Sequence, residues 1–418
     1  MTANGVAAAA PMAAAAGDAV PPAARAPSPG ASVATPALPD DGRTELARRM
    51  KADWCGFGAA EAARQTASVH ARATEQRGSV DMQALDEERQ TVGGEVMAEA
   101  VADARRRWMQ ALARRGDERS LAMADYLGGD DDDDAASASA ARARLQARAR
   151  RSTDPMVTAL ALQRGCAPGA CLNVEAAQWS RLEPGNLDAW LALANAGGAQ
   201  PSQAAYALDR LAQEARYSRS YQRELYAALV DLPQTHTPGL ASEAETRLAV
   251  SVISRWPLFP MRPLLDQCRS AVANAGTLAR CEAVARLMVQ HDSWIQRALG
   301  LAMARAVVAA RPDRRPAWEA TAQAYEAVQE WARSESERLL NDAETAGPRA
   351  SPCADTAEAR RMLHDTVMAS EWERRREGMD RSGLSEAALA ARWRQREGRS
   401  VLDPMPATRP ASAPVPGR

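Results

Sequence analysis

The six cysteines are the residues of this sequence whose type and spacing most clearly point to chemistry, because they can form disulfide bonds. Cys166 and Cys171 lie on either side of a short loop between two predicted helices. Cys268 and Cys281 lie at equal distances from the predicted turn of a helix hairpin. Antiparallel helices bring such positions opposite each other, within reach of a disulfide. The spacing therefore favours two local disulfides, Cys166–Cys171 and Cys268–Cys281.

The two remaining cysteines, Cys55 and Cys353, either pair across the fold or stay free. An even number of cysteines with two locally compatible pairs is typical of proteins from an oxidising compartment. The alternative is that all six are small buried thiols in a cytosolic protein. The sequence thus predicts a periplasmic or secreted protein, with the cytoplasm as the alternative location.

Other signatures of catalysis or ligand binding are missing from the sequence. Four histidines lie far apart along the chain, at His70, His236, His291 and His364. With no C-x-x-C and no H-E-x-x-H pattern, no zinc site is predicted. There is no G-x-S-x-G nucleophile and no phosphate-binding glycine loop, and neighbouring carboxylates such as Glu243 and Glu245 are interpreted as solvated helix faces. We therefore predict no catalytic, cofactor-binding or metal-binding residue and expect that the protein is not an enzyme.

The charge of the chain is balanced, with 52 basic and 53 acidic residues and a formal net charge of −1. Such a balance gives no overall field that would attract nucleic acid. The arginine-rich segment 142–151 has no aromatic residues to stack on bases, and the aspartates 130–134 precede it and are expected to neutralise it. No apolar run reaches the roughly 18–20 residues that a membrane-spanning helix needs. Neither a nucleic-acid partner nor a membrane-spanning segment is predicted.

The composition favours an all-α fold, because Ala, Leu, Arg, Glu and Gln dominate the chain and are strong helix formers. Residues 1–40 are predicted to be a disordered Ala/Pro-rich tail or a degenerate, incomplete signal segment. An N-terminal helical domain follows over 41–127, and a Gly/Asp-rich acidic linker over 128–140. A helical block with short connections is predicted over 141–400, and a second disordered tail over 401–418.

Two passages of this block share a pattern of small and aromatic residues. In one of them, Trp318, Ala322 and Tyr325 recur on one helical face. In the other, Trp190, Leu193 and Ala194 follow a Pro-x-Asn turn. Both passages resemble the first helix of the tetratricopeptide (TPR) repeat, in which Trp, Leu, Gly and Tyr occupy such positions.

The resemblance is degenerate. In the first passage Thr321 departs from the repeat pattern, and in the second passage Gly197 stands at the tyrosine position. No steady period of about 34 residues links the two passages. The phrase P-x-N-x-x-A-W-L at 184–191, with the paired cysteines, also resembles secreted helical proteins of high-GC bacteria, which implies no activity. The TPR resemblance implies antiparallel helix pairs in an α-α superhelical array, whose small residues allow close helix packing.

These observations predict a non-catalytic binding or scaffolding protein of the bacterial envelope, with a protein or peptide partner. Most tryptophans are expected in the core, while a few line a groove as anchors for a peptide. Two alternatives remain at this point. One is a helical, α/α-type enzyme acting on a polymer, and the other is a purely structural protein.

Overall fold

The computed structural model describes residues 40–75, 82–130, 134–167, 169–196, 201–232, 234–254, 262–271, 274–345, 353–368 and 370–404. Residues 1–39 and 405–418, which form most of the two predicted tails, lie outside these ranges. The chain remains packed beyond the predicted boundary at 401, because Leu402 is buried in a core.

Nineteen α-helices make up the described part of the chain, which contains no β-strand, so the all-α prediction is confirmed. The helices are α1 (Asp40–Ala52), α2 (Ala59–Glu75), α3 (Met82–Arg89), α4 (Val92–Arg115), α5 (Glu118–Gly128), α6 (Ala135–Ala149), α7 (Pro155–Gln163), α8 (Ala176–Leu182), α9 (Leu187–Ala196), α10 (Pro201–Glu214), α11 (Gln222–Val230), α12 (Leu240–Ser254), α13 (Arg262–Ser270), α14 (Ala275–Met288), α15 (Trp294–Ala310), α16 (Pro316–Thr345), α17 (Ala354–Met368), α18 (Glu371–Arg381) and α19 (Glu386–Glu397). A π-helical turn, Trp54–Gly58, follows α1, and a 3-10 turn, Pro312–Arg314, precedes α16.

Local sequence signals explain several helix ends. The carboxylates of Asp117 and Asp154 cap the first turns of α5 and α7, each accepting a hydrogen bond from a backbone N–H. Pro155 follows as the first residue of α7, where its missing N–H is not needed. Gly116 ends α4 with a left-handed backbone (φ 75°) that favours glycine. The turn at 116–117 and the helix start at Asp154 thus follow from local residue types.

Two large cores hold the helices together. The first core lies between α4–α9, α11 and α12, and its largest buried side chains are Trp108, Tyr126, Trp179 and Tyr221. The second core lies between α9, α10 and α13–α16, and includes Leu402. Helix α9 contributes to both, since Ala189 and Ala192 face the first core while Trp190 and Ala194 face the second.

Most of the described residues in the predicted acidic linker 128–140 belong to helices, and residues 131–133 lie outside the described ranges. Gly128 is the last residue of α5, and α6 begins at Ala135, directly after its N-cap Asp134. Asp130 is buried and pairs with Arg164 at 3.1 Å. The buried ion pair and the helix cap explain why Asp130 and Asp134 do not form an open linker.

The arginines of α6 also pair differently from the prediction. Arg144 and Arg148 bind Asp125 on α5, at 2.8 Å and 3.4 Å, and do not neutralise the aspartate run within the described residues. Ala138, Ala141 and Leu145 of α6 are buried. The hydrophobic core therefore continues across the predicted domain boundary.

Helices that follow each other in the chain often pack in pairs, as α4 with α5, α9 with α10 and α14 with α15 do. Other contacts join distant parts of the chain. Helix α12 packs on α4, α17 packs on α11 and α12, and α19 packs on α16. The molecule is thus a set of packed helices that are compatible with a helical repeat but are partly joined out of chain order.

Candidate ligand-binding groove

The structure joins all six cysteines in three disulfides, so none is free. Cys166 pairs with Cys171 and Cys268 with Cys281, at Cα–Cα distances of 5.8 Å and 5.9 Å. Cys55, in the π-helical turn, pairs with Cys353, which immediately precedes α17, at 5.2 Å. Of the two possibilities for Cys55 and Cys353, the structure has the pair across the fold. Three disulfides are typical of proteins in an oxidising compartment.

The residues of the two TPR-like passages lie in the same core. Trp190 and Ala194 on α9 are buried there, with Leu193 packed against them. On α16, Trp318 and Ala322 are 1% and 0% exposed, and Tyr325 is 8% exposed. The predicted packing positions therefore face the second core, and Trp318 and Tyr325 also reach its edge, where a groove begins.

This groove, which we call the arginine–aromatic groove, has a volume of about 470 Å³ and lies between α14, α15, α16 and α18. Its lining residues are Arg286, Val289, Gln290, Arg297, Leu301, Trp318, Ala320, Thr321, Ala324, Tyr325, Trp372 and Arg376. Three of these side chains are cationic and none is acidic. A volume of this size falls within the range of small-ligand and side-chain pockets.

Aromatic rings and guanidinium groups pack against each other in the lining of the groove. The rings of Tyr325 and Trp372 stack, with centroids 6.4 Å apart and planes inclined by 6°. The guanidinium of Arg297 lies over the Trp372 ring at 4.2 Å, and that of Arg286 over the Trp318 ring at 4.9 Å. Such cation–π contacts hold the arginines in place without neutralising them.

The three arginines differ in how well their charges are paired. Arg286 binds Glu282 at 2.8 Å, and Arg376 binds Glu386 at 2.5 Å. Arg297 donates from Nε to the backbone oxygen of His291 at 2.6 Å, and no carboxylate of the described residues lies within salt-bridge distance of it. Burial lowers the pKa of Arg297 to about 10, which leaves it charged at neutral pH. The groove therefore contains a half-buried cation that the charges of Asp292 and Glu373 stabilise only from beyond salt-bridge distance.

Several buried carboxylates elsewhere are fully engaged in holding helices together. The sequence interpretation of Glu245 as solvated is wrong, because α12 turns this residue inward and leaves it 2% exposed. Arg107 on α4 and Arg360 on α17 each bind it at 3.0 Å. The N–H and hydroxyl of Thr235 donate to it as well. Glu245 thus links three helices and has no oxygen left for acid–base work.

The sequence identifies only part of the groove. Trp318 and Tyr325 carry the TPR-like signal, whereas Arg297, Trp372 and Arg376 carry none. Trp372 lies in the charged helix α18. Its backbone N–H donates to the backbone oxygen of Asp292 at 3.1 Å, and this bond holds Trp372 beside α15. No spacing rule within one helix could place a residue from α18 in this wall.

Within the described ranges, no three His, Cys, Asp or Glu side chains are arranged to hold a metal ion. Among the described helices, none is both long and apolar enough to cross a bilayer. Comparisons of the chain with protein-family models, curated protein sequences and solved structures give no match.

Proposed function

We propose that the protein is a non-catalytic binding protein of the bacterial periplasm or exterior, which holds an acidic peptide segment of a partner protein in the arginine–aromatic groove. The observation that carries this proposal is Arg297, a half-buried cation that forms no salt bridge with any described residue and lies in a groove without an acidic lining residue. A buried charge is unfavourable unless it is paired, so a carboxylate from a ligand would relieve this site.

The rest of the groove defines what lies next to that carboxylate. Trp318, Tyr325 and Trp372 offer aromatic surface of the kind that anchors apolar and aromatic side chains in interfaces. Gln290 and Thr321 supply hydrogen-bonding groups on the same surface. The preferred ligand is therefore a peptide in which Asp or Glu stands beside an apolar or aromatic residue.

The proposed location follows from the disulfides. Cys55–Cys353 joins parts of the chain that are 298 residues apart, and two further disulfides close local loops. Such bonds persist outside the reducing cytosol. A partner is then expected among proteins of the same compartment, and binding requires neither a cofactor nor a reaction.

Selection from random 12-mer peptides displayed on phage tests the proposal. The oxidised full chain should retain sequences in which Asp or Glu neighbours Leu, Phe, Tyr or Trp. For a peptide chosen in this way, fluorescence anisotropy should show binding that weakens by about 10- to 100-fold in Arg297→Gln, the loss expected for one charge-assisted hydrogen bond.

Arg305→Gln is the matched control. Arg305 lies on the same helix, is also half-buried, and has its pKa lowered by burial, but it does not line the groove. It should retain wild-type affinity. Enrichment of basic or purely apolar peptides, or equal affinity of the Arg297→Gln variant for the selected peptides, would contradict the proposal.

A further inference from the structure

A second cavity of about 470 Å³ lies where α4, α11, α12 and α17 meet. It shares no lining residue with the arginine–aromatic groove. We call it the Trp108 cavity, and its lining residues are Trp108, Tyr226, Leu229, Val230, Asp231, Leu232, Gln234, His236, Glu245, Thr246, Ala249, Arg360, Leu363 and His364. Its volume falls within the range of sites that enclose small molecules.

The deeper wall of the cavity is mainly apolar and belongs to the first core. Trp108, Leu229 and Leu232 are 2%, 2% and 3% exposed and belong to the first core. Ala249 packs against the same core from α12. Apolar walls fixed in a core gain contacts when an apolar molecule fills the space between them.

The charged groups on the opposite wall are already neutralised by each other. Arg360 donates to Thr235 O at 2.6 Å, Thr246 Oγ1 at 3.1 Å, Ser242 O at 3.0 Å and Glu245 at 3.0 Å. All three guanidinium nitrogens of Arg360 are therefore engaged. Glu245 is equally saturated by its two arginines and Thr235. The lining also includes the exposed carboxylate of Asp231, so an anionic ligand would find no uncompensated positive charge here.

Two of the four histidines of the chain come together at this cavity, although the sequence separates them widely. His236 lies in the loop between α11 and α12, and His364 lies on α17. Both are exposed, and His364 Nδ1 is 3.8 Å from a carboxylate oxygen of Asp365. An imidazole can donate or accept a hydrogen bond, so the two rings can hold a polar group at the opening of an otherwise apolar space.

We infer that the Trp108 cavity is a binding site for an uncharged, mainly apolar small molecule, whose single polar group faces His236 and His364. The apolar body contacts Trp108, Leu229 and Leu232. Burying an anionic ligand here would remove its hydration without an unpaired cation in return, so the neutral form of an acidic compound binds more tightly than its anion. This site is independent of the proposed peptide groove.

The histidines supply a site-specific readout. The oxidised full chain is labelled with ¹³Cε1-histidine, which gives four ring signals, and is titrated with 2-naphthalenemethanol. The signals of His236 and His364, assigned with His236→Gln and His364→Gln, should shift and saturate, whereas those of His70 and His291 should not. The isosteric carboxylate, 2-naphthoate, should bind about tenfold more weakly or worse.

A matched pair of variants separates this site from the groove. Ala249→Phe fills the Trp108 cavity and should abolish the titration while acidic peptides still bind. Ala324→Phe fills the arginine–aromatic groove and should have the opposite effect. Naphthalenemethanol that shifts neither cavity histidine up to its solubility limit would overturn the inference. Naphthoate binding as tightly as the alcohol, or shifts that persist in a folded Ala249→Phe variant, would overturn it too.

Discussion

Glu183 illustrates at the residue scale how one buried carboxylate holds several elements in place. Trp179 Nε1 and Asn186 Nδ2 donate to one of its oxygens at 3.0 Å and 2.9 Å. The hydroxyls of Tyr217 and Tyr221 donate to the other at 2.9 Å and 3.0 Å. Four donors from α8, the start of α9 and the 217–221 loop thus converge on a single side chain, which leaves it no role in acid–base chemistry.

Replacement of Glu183 should therefore destabilise the protein strongly. Glu183→Ala leaves four donors, most of them buried, without an acceptor, and we expect the free energy of unfolding to fall by about 2–4 kcal/mol. Guanidinium chloride denaturation of the oxidised protein, followed by circular dichroism at 222 nm, measures this change. Glu175→Ala is the control, because Glu175 precedes α8 without a side-chain capping bond and should change stability by less than about 0.5 kcal/mol. Equal effects of the two replacements would contradict the role of Glu183.

The same contacts predict how stability depends on alkaline pH. Burial, and then the hydrogen bond to Glu183, raise the pKa of Tyr217 to about 12, and burial and the charge of Glu183 raise the pKa of Tyr221 further. Between the unfolded pKa of about 10 and the folded values, the native state keeps protons that the unfolded state has lost. The stabilisation is thus complete below pH 10 and decreases as the pH rises through the folded values.

Denaturation curves recorded between pH 8 and pH 12 should show this decrease. Tyr217 is 44% exposed, so solvent screening weakens its share, and Tyr221, 2% exposed, should contribute more. Tyr221→Phe is therefore expected to be less stable at pH 8 but to lose less stability up to pH 12 than the wild type. A wild-type stability that stays constant or increases above pH 10 would exclude this linkage.

At the scale of the elements, the sequence predicts features that depend on neighbouring residues. The helix start at Asp154–Pro155 and the pairing of Cys268 with Cys281 across a predicted turn follow from rules that act over one or two helical turns. The inward orientation of α12 does not follow, because the partners of Glu245 come from α4 and α17. For the same reason the sequence predicts only the α16 side of the arginine–aromatic groove, since Trp372 reaches the groove from α18.

The three disulfides should contribute unequally, because they close loops of different length. Sequence separations of 5, 13 and 298 residues correspond to loop-closure contributions of about 2, about 3 and about 6 kcal/mol in the chain-entropy model. Paired Cys→Ser variants, compared by chemical denaturation, should therefore rank Cys55–Cys353 as the most stabilising and Cys166–Cys171 as the least. The reverse ranking would show that native packing, and not loop closure, determines their effects.

At the scale of the whole molecule, helix α9 connects the two large cores. Ala189 and Ala192 pack in the first core, whereas Trp190 and Leu191 pack in the second. If α9 detached from one core, its residues in the other core would also be exposed to solvent. The sequence shows that α9 is apolar, but which face meets which core depends on helices that are distant in the chain, so the coupling is visible only in the structure.

We therefore expect the oxidised protein to unfold in one transition, although a chain of 418 residues could form several independent domains. Differential scanning calorimetry should give a single peak with a ratio of van't Hoff to calorimetric enthalpy near one. Trp190→Ala, which removes the largest contact of α9 with the second core, should shift the whole peak to lower temperature. Two resolved peaks, of which only one moves in Trp190→Ala, would show that the cores unfold separately.

The connectivity of the disulfides bears on how the chain acquires its native bonds. In order of synthesis the cysteines pair first with sixth, second with third and fourth with fifth, so that the longest loop encloses the other two. An oxidant that joins cysteines in the order of their synthesis would link Cys55 to Cys166, the next cysteine in the chain, because Cys353 is synthesised last. Correct maturation therefore requires either that Cys55 remains reduced until nearly the whole chain is present or that an isomerase reshuffles an early wrong bond. Expression hosts that supply oxidising power alone are expected to yield mispaired material, and those with disulfide isomerase activity the native protein.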